Sequence, residues 1–170
     1  MQYKIIKNFL DKKDVEILVK NIYQNTNSFI PCQQCEGSVR AYNFKPAVWI
    51  LASKTKEISE AVGERVLPSY CYTRIYKHGT ELVPHVDRPA CEITATVHLY
   101  GDKPWDLVVK EDGEEKIISL EVGDAAVYDG VNNSHWREGK YPGDEYINTF
   151  LHYVRMSGEH SNLYFEKLGV

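Results

Sequence analysis

Beyond Pro68 the chain adopts a period of two and keeps it to the end of its last apolar run. Tyr70, Tyr72, Arg74 and Tyr76 fall on one side of the alternation, with Cys71, Thr73 and Ile75 on the other. In Cys91 to Tyr100 the split is clean: Ile93, Ala95, Val97 and Leu99 against Glu92, Thr94, Thr96 and His98. Successive side chains of a strand point to opposite faces, so such a segment makes a strand with two chemically different sides. Shorter runs lie at Leu82–Asp87, after a turn at His78-Gly79, and at Trp105–Lys110, Lys116–Leu120, Asp124–Tyr128, His135–Arg137 and Tyr146–Val154, separated by breaks at Asp112-Gly113, Gly123-Asp124 and Gly130 to Asn133. Twelve tyrosines against five phenylalanines suit half-buried strands with one wet end.

Ahead of this region the pattern is helical. After a short strand at Tyr3–Ile6, Asp11 is placed to cap a helix that turns Val15, Leu18, Val19 and Ile22 to one face. Residues 24–46 read mostly as loop, a stretch long enough to form part of a lid. Ala47 to Leu51 reads as a strand. Ser53 opens a second helix with Ile58, Val62 and Val66 inward, which Pro68 ends. Helices followed by about eight gathered strands predict an α+β, β-rich chain, a sandwich or barrel with its helices packed on one outer face. The expected layout is one domain: supporting strand and helices over 1–68, the β core over 69–155, and a terminal segment over 156–170.

Composition narrows the function classes. A net charge of −4 without a Lys/Arg block argues against a duplex nucleic-acid partner. No apolar run approaches a membrane span, and charges thread the first residues where a signal peptide needs an apolar stretch, so a cytoplasmic protein without a membrane partner is expected. Four cysteines in such a chain suit a reduced state. Cys32-Gln33-Gln34-Cys35 lacks the second pair of a zinc site and the βαβ setting of a redox motif.

The residues that carry chemistry are His85-Val86-Asp87. At i and i+2 of a strand, an imidazole and a carboxylate reach one point. A third ligand from a distant strand would complete a 2-His-1-carboxylate face with open positions, the arrangement of non-heme Fe(II) oxygenases. His135 is the candidate, following the Gly123-Asp124 turn and the Ala125–Tyr128 run. Alone the tripeptide is a weak signal, and a surface histidine beside an aspartate accounts for it equally well.

Its surroundings are more specific. YTRIYKHGTELVPHVDRPACEITATVHL, KPWDLVV, LEVGDAAVYDG, SHWREG and NTFLHYV occur in that order over about half the chain. Together they resemble the Fe(II)/2-oxoglutarate-dependent oxygenases, in particular the prolyl-4-hydroxylase-like branch and its small microbial and phage members. The resemblance implies a double-stranded β-helix (jelly-roll, cupin-like) core. It implies Fe(II) held by His85, Asp87 and His135 as the catalytic centre, with 2-oxoglutarate and O2 as cosubstrates and ascorbate as a reductant. It further implies hydroxylation of an unactivated C–H bond with release of succinate and CO2. Halogenating relatives carry a small residue where this chain has Asp87, which favours hydroxylation. The implied substrate is a peptidyl, prolyl or amino-acid side chain, and the protein a monomer or homodimer.

One feature departs from the family. Its usual base for the 2-oxoglutarate 5-carboxylate falls here near Asp144, Glu145 and Tyr146, where there is no cation. Arg137, two residues after His135, is the first substitute; Arg74, on one strand face with Tyr76, is the second. A guanidinium suits a carboxylate through its bidentate fork. Tyr76 matches a family tyrosine that reaches the cosubstrate. Thr96, His98 and His152 are further candidates for the cosubstrate wall, and Arg88 and Trp136 for the substrate rim. Two other readings stay open: a cupin-like protein that binds a metal or small ligand without turnover, and a demethylase of nucleobases or proteins using the same chemistry.

Overall fold

In the computed structural model, which describes residues 1–166, ten strands form two sheets. The larger contains β1 (Lys4–Ile6), β2 (Ile30–Pro31), β3 (Val39–Tyr42), β4 (Val66–Lys77), β5 (Ile93–Gly101), β8 (Ala125–Asp129) and β10 (Glu145–Arg155), in the spatial order β1-β8-β5-β10-β4-β3-β2. The smaller contains β6 (Leu107–Glu111), β7 (Glu114–Ile118) and β9 (His135–Arg137), with β6 in the middle. Every pairing within them is antiparallel. The two sheets make the double-stranded β-helix that the resemblance implies.

β5 explains the layering. Ile93, Ala95, Val97 and Leu99 join one apolar cluster with Cys71 and Ile75 of β4 and Ile147 and Leu151 of β10. The same cluster takes in Val15, Leu18 and Ile22 of α1 (Lys12–Gln24), Ala47 and Leu51 of α2 (Lys45–Ser53), and Ile58 of α3 (Thr55–Val62). The helices therefore cover one face of the large sheet, as expected, and burying that face is the main gain of folding them there. Thr94, Thr96 and His98 turn to the other face and are also buried, between the sheets. Asp11 is the helix cap read from sequence, its side chain accepting from Asp14 N at 2.8 Å. Among the described residues no helix is long and apolar enough to cross a membrane.

Five local expectations are corrected. Ala47 to Leu51 is not a strand but lies in α2. Pro46 presets the first helical turn, and Ala47 and Leu51, one turn apart, are buried while Trp49 is 78% exposed. Ser53 ends α2 rather than opening α3, which stops at Gly63 in the left-handed conformation. Val66 and Pro68 already belong to β4. There Pro68 pairs with Tyr153 at a register shift that leaves Ser69 unpaired, a bulge that tolerates a residue without N–H. Leu82 to Asp87 is not a regular strand, because Pro84 interrupts the ladder and only single bridges at Glu81 and His85 remain. Residues 24–46 are less of a loop than expected: they contain a short 3-10 turn and the β2–β3 hairpin, which extends the large sheet beyond β4.

Candidate metal and cosubstrate site

His85, Asp87 and His135 meet. One potential ligand atom from each lies within 4.8 Å of the others. Asp87 Oδ1 is 3.9 Å from His85 Nε2 and 3.6 Å from His135 Nε2, and the two imidazole centroids are 4.3 Å apart. Both rings are set by the same device. His85 Nδ1 lies 2.9 Å from Val83 O and His135 Nδ1 2.9 Å from Asn133 O. A carbonyl can only accept, so each Nδ1 carries a proton, and each Nε2 is the ring atom left facing Asp87 and available to a metal. Burial holds the His135 imidazole below its ordinary pKa, partly opposed by the Asp87 charge, so it stays neutral as a metal ligand must.

Asp87 is fixed by two hydrogen bonds. Its N–H donates to Gly130 O at 2.7 Å, and its Oδ2 accepts from Thr94 Oγ1 at 2.9 Å. Oδ1 is left for the histidine side. Gly130 allows this approach: a Cβ there would lie 2.4 Å from Cys91 O, 2.7 Å from Asp87 Oδ2 and 2.8 Å from Thr94 Oγ1. Two imidazole nitrogens and one carboxylate oxygen on one face suit a divalent iron with open positions, so the donor set fits the metal that the resemblance implies.

A cleft of about 280 Å³ opens over the three residues. Arg137 lines it, only 3% exposed, and among the described residues it forms no ion pair with any carboxylate. Its Nη1 donates to Trp105 O and, at 3.2 Å, to the Tyr146 hydroxyl. With its amide turned so that both ends are satisfied, Asn148 accepts from Arg137 Nη2 and donates to Ile147 O at 3.0 Å. All three partners are neutral, so the guanidinium keeps its full charge inside the protein. Arg74, Arg88 and His152 also line the cleft. Arg88 pairs with Glu166 at 2.8 Å and lies over the Tyr70 ring. His152 Nδ1 sits 3.0 Å from Thr94 Oγ1, behind Asp87, and burial pushes its pKa down to about 4.

Other candidates stand behind the wall or outside it. Tyr76 is fully buried, its hydroxyl accepting from Arg74 Nη1 at 3.3 Å. Thr96 shares a 3.0 Å hydrogen bond with Tyr128, which does line the cleft. His98 stacks on Tyr146 with ring centroids 4.4 Å apart. Trp136 is not part of the cleft lining, contrary to its placement at the rim: it alternates with His135 and Arg137 in β9 and so faces the other side of that strand. Sequence reading missed Gly130, Gln34 and Arg40. Only Gly130 left a signal, in its Asp-Gly turn.

Cys91, with Asp87 and His152, forms a second group of potential ligands. Burial raises the Cys91 thiol to about 12, and it shares a 2.9 Å hydrogen bond with the Tyr70 hydroxyl. Without a metal it is therefore a neutral thiol. All four cysteines are buried and free.

Solved structures share this arrangement of strands. A prolyl-4-hydroxylase from Pseudomonas putida superposes with a TM-score of 0.71 at 15% identity, over 90% of this chain and 92% of that one. A 2OG-Fe(II) oxygenase family oxidoreductase from Burkholderia pseudomallei gives 0.74 at 14% identity, over 94% and 87%. A viral collagen prolyl hydroxylase from Paramecium Bursaria Chlorella virus-1, in its 2OG complex, gives 0.67 at 14% identity, over 90% and 96%. The fold is that of the Fe(II)/2-oxoglutarate oxygenases. No family model and no curated protein matches the chain. At these identities the likeness to the 2-oxoglutarate oxygenases concerns the fold, and the chemistry rests on the side chains just described.

Proposed function

We propose that the protein is an Fe(II)- and 2-oxoglutarate-dependent oxygenase that hydroxylates an unactivated C–H bond, with succinate and CO2 as co-products. The observation that carries this reading is the pairing of a preset 2-His-1-carboxylate face with a buried, unneutralised arginine on the strand of one ligand. Bound Fe(II) with 2-oxoglutarate and O2 supplies the oxidising power; the chain supplies binding, orientation and dryness.

His85, Asp87 and His135 hold the metal on one side and leave the cleft side free. Arg137 takes the 5-carboxylate. A strand rises about 3.3 Å per residue, so the two-residue step from His135 to Arg137 spans about 7 Å. That is the scale of a five-carbon diacid bound at the metal by one end and at the guanidinium by the other. Tyr146 and Asn148 hold the guanidinium without neutralising it, which reserves its charge for the ligand. The buried aromatic residues Trp105, Tyr146 and Tyr128 shield that end from water.

The substrate enters from the side of β4 and the β2–β3 hairpin, where Tyr70, Tyr72, Tyr42 and Phe150 line the cleft. A peptidyl or free amino-acid side chain is the proposed target. Anaerobic addition of Fe(II) and then 2-oxoglutarate tests the reading: a visible metal-to-ligand charge-transfer band is expected. Metal binding without that band would overturn the oxygenase and leave a metal-binding barrel.

A further inference from the structure

The cleft contains more positive charge than the cosubstrate uses. Arg74 is 4% exposed, and among the described residues no carboxylate pairs with it. Its Nη1 donates to Tyr76 at 3.3 Å, and its Nη2 to Gln34 Oε1 at 2.6 Å and to Tyr72 at 3.1 Å. Its buried Nε has no partner. These contacts place a guanidinium against a polar wall with one donor unused and, among the described residues, no carboxylate to offset its charge.

A second observation points the same way. Arg40 of β3 is the direct cross-strand partner of Arg74. Like charges opposed on neighbouring strands destabilise a sheet. Arg40 also forms no ion pair among the described residues, resting instead over the Tyr42 ring at 4.9 Å. Both arginines line the cleft that holds the metal ligands.

The charges around the centre sharpen the point. On the oxygenase reading, Asp87 and the two carboxylates of 2-oxoglutarate offset the divalent metal and Arg137. Arg88 is offset by Glu166. Arg74 and Arg40 remain. A buried cation without a counterion is costly, whereas a carboxylate accepting from a guanidinium gains charge-assisted, bidentate hydrogen bonds.

From this we infer that Arg74 and Arg40 form a receptor for a carboxylate on the substrate. The substrate is then a small carboxylate-bearing molecule, a free amino acid or an N-acyl amino acid, rather than an internal residue of a polypeptide. Gln34 closes over Arg74 as a neutral partner that the incoming carboxylate displaces or joins. This inference rests on the oxygenase reading, and its test separates the two.

The enzyme loaded anaerobically with Fe(II) and 2-oxoglutarate first gives the visible band, on which the oxygenase reading stands or falls. The loaded enzyme is then titrated with the twenty L-amino acids and their N-acetyl derivatives, each as the acid and as the carboxamide, and with peptides capped at both ends. At least one acid is expected to shift the band at ten-fold or more lower concentration than its carboxamide. Arg74→Gln and Arg40→Gln are expected to keep the band and to raise the concentration of acid required by ten-fold or more. Arg40→Gln, at a half-buried position, serves should Arg74→Gln not fold. Four outcomes overturn the proposal: no acid shifts a band that is present, carboxamides or capped peptides match the acids, Arg74→Gln removes the band itself, or Arg40→Gln leaves the acid titration unchanged.

Discussion

His85 and His135 are joined by a reciprocal pair of main-chain hydrogen bonds, His85 N to His135 O at 3.2 Å and His135 N to His85 O at 2.8 Å. Side chains of directly opposed strand residues lie side by side, so this single bridge fixes the spacing of the two imidazoles before any metal arrives. His135→Ala leaves the bridge, which is main chain, but removes a ligand. Metal binding and succinate formation are expected to be lost while the melting temperature of the metal-free protein changes little; calorimetric metal titration and thermal unfolding check both parts. Thr94→Val removes the hydrogen bond to Asp87 Oδ2 and is expected to weaken metal affinity about 10-fold, the usual cost of losing a partner of a metal ligand.

Gly130→Ala tests the cradle under Asp87. The new Cβ would meet Cys91 O at 2.4 Å, a main-chain atom that cannot rotate away. The expected loss is about 2 kcal/mol of stability, as for other over-packed sites, together with weaker metal binding because Asp87 is displaced. Urea unfolding of the metal-free protein and metal titration give the two values.

Arg137→Gln keeps a polar side chain near Tyr146 and Asn148 but removes the charge. Metal affinity is expected to stay within a few-fold, whereas 2-oxoglutarate affinity falls about 100-fold, since truncating one partner of a buried charge pair costs several kcal/mol. Arg137→Lys is expected to recover only part of it, lacking the fork. Titration of the visible band with 2-oxoglutarate measures the change; unchanged affinity would move the cosubstrate base elsewhere.

His98 gives a pH signature. Burial, with Arg137 nearby, pushes its pKa down to about 4, against about 6.5 in the unfolded chain. A folded value below the unfolded one means that the unfolded state takes up the proton first as the solution is acidified. The contribution is intact above pH 6.5 and is lost between there and about pH 4, amounting to about 3 kcal/mol. His98→Gln is expected to make unfolding less pH-dependent by roughly one proton over that interval, measured by urea unfolding at pH 7.5 and at 4.5.

Legibility followed the strength of each local signal. β5 was readable because its faces differ in chemistry: one meets the helices, while the other hydrogen-bonds to Tyr128 of the neighbouring strand and to Asp87. His85 and Asp87 were readable because i and i+2 share a side, and His135 because it follows a Gly-Asp turn in a recognisable order. The 45–53 helix was misread because a short apolar run fits a buried strand or a buried helix alike, and only tertiary packing decides. The opposition of Arg40 and Arg74 left no trace in sequence. It depends on the register of β3 against β4, which the intervening residues do not encode by spacing. The counterion-free state of Arg137 was equally hidden, since it depends on which side chains stay away.

The hairpin carrying Gln34, Arg40 and Tyr42 joins the rest of the fold through four paired residues of β3, at the margin of the large sheet. No metal ligand lies on it, and none of the residues that fix Asp87. Part of what selects the guest, Gln34, Arg40 and Tyr42, is therefore written on a stretch of the gene apart from the metal ligands. A library confined to residues 30–42 would vary the guest while leaving the furnace intact, which makes this hairpin the natural handle for redirecting the protein to new molecules.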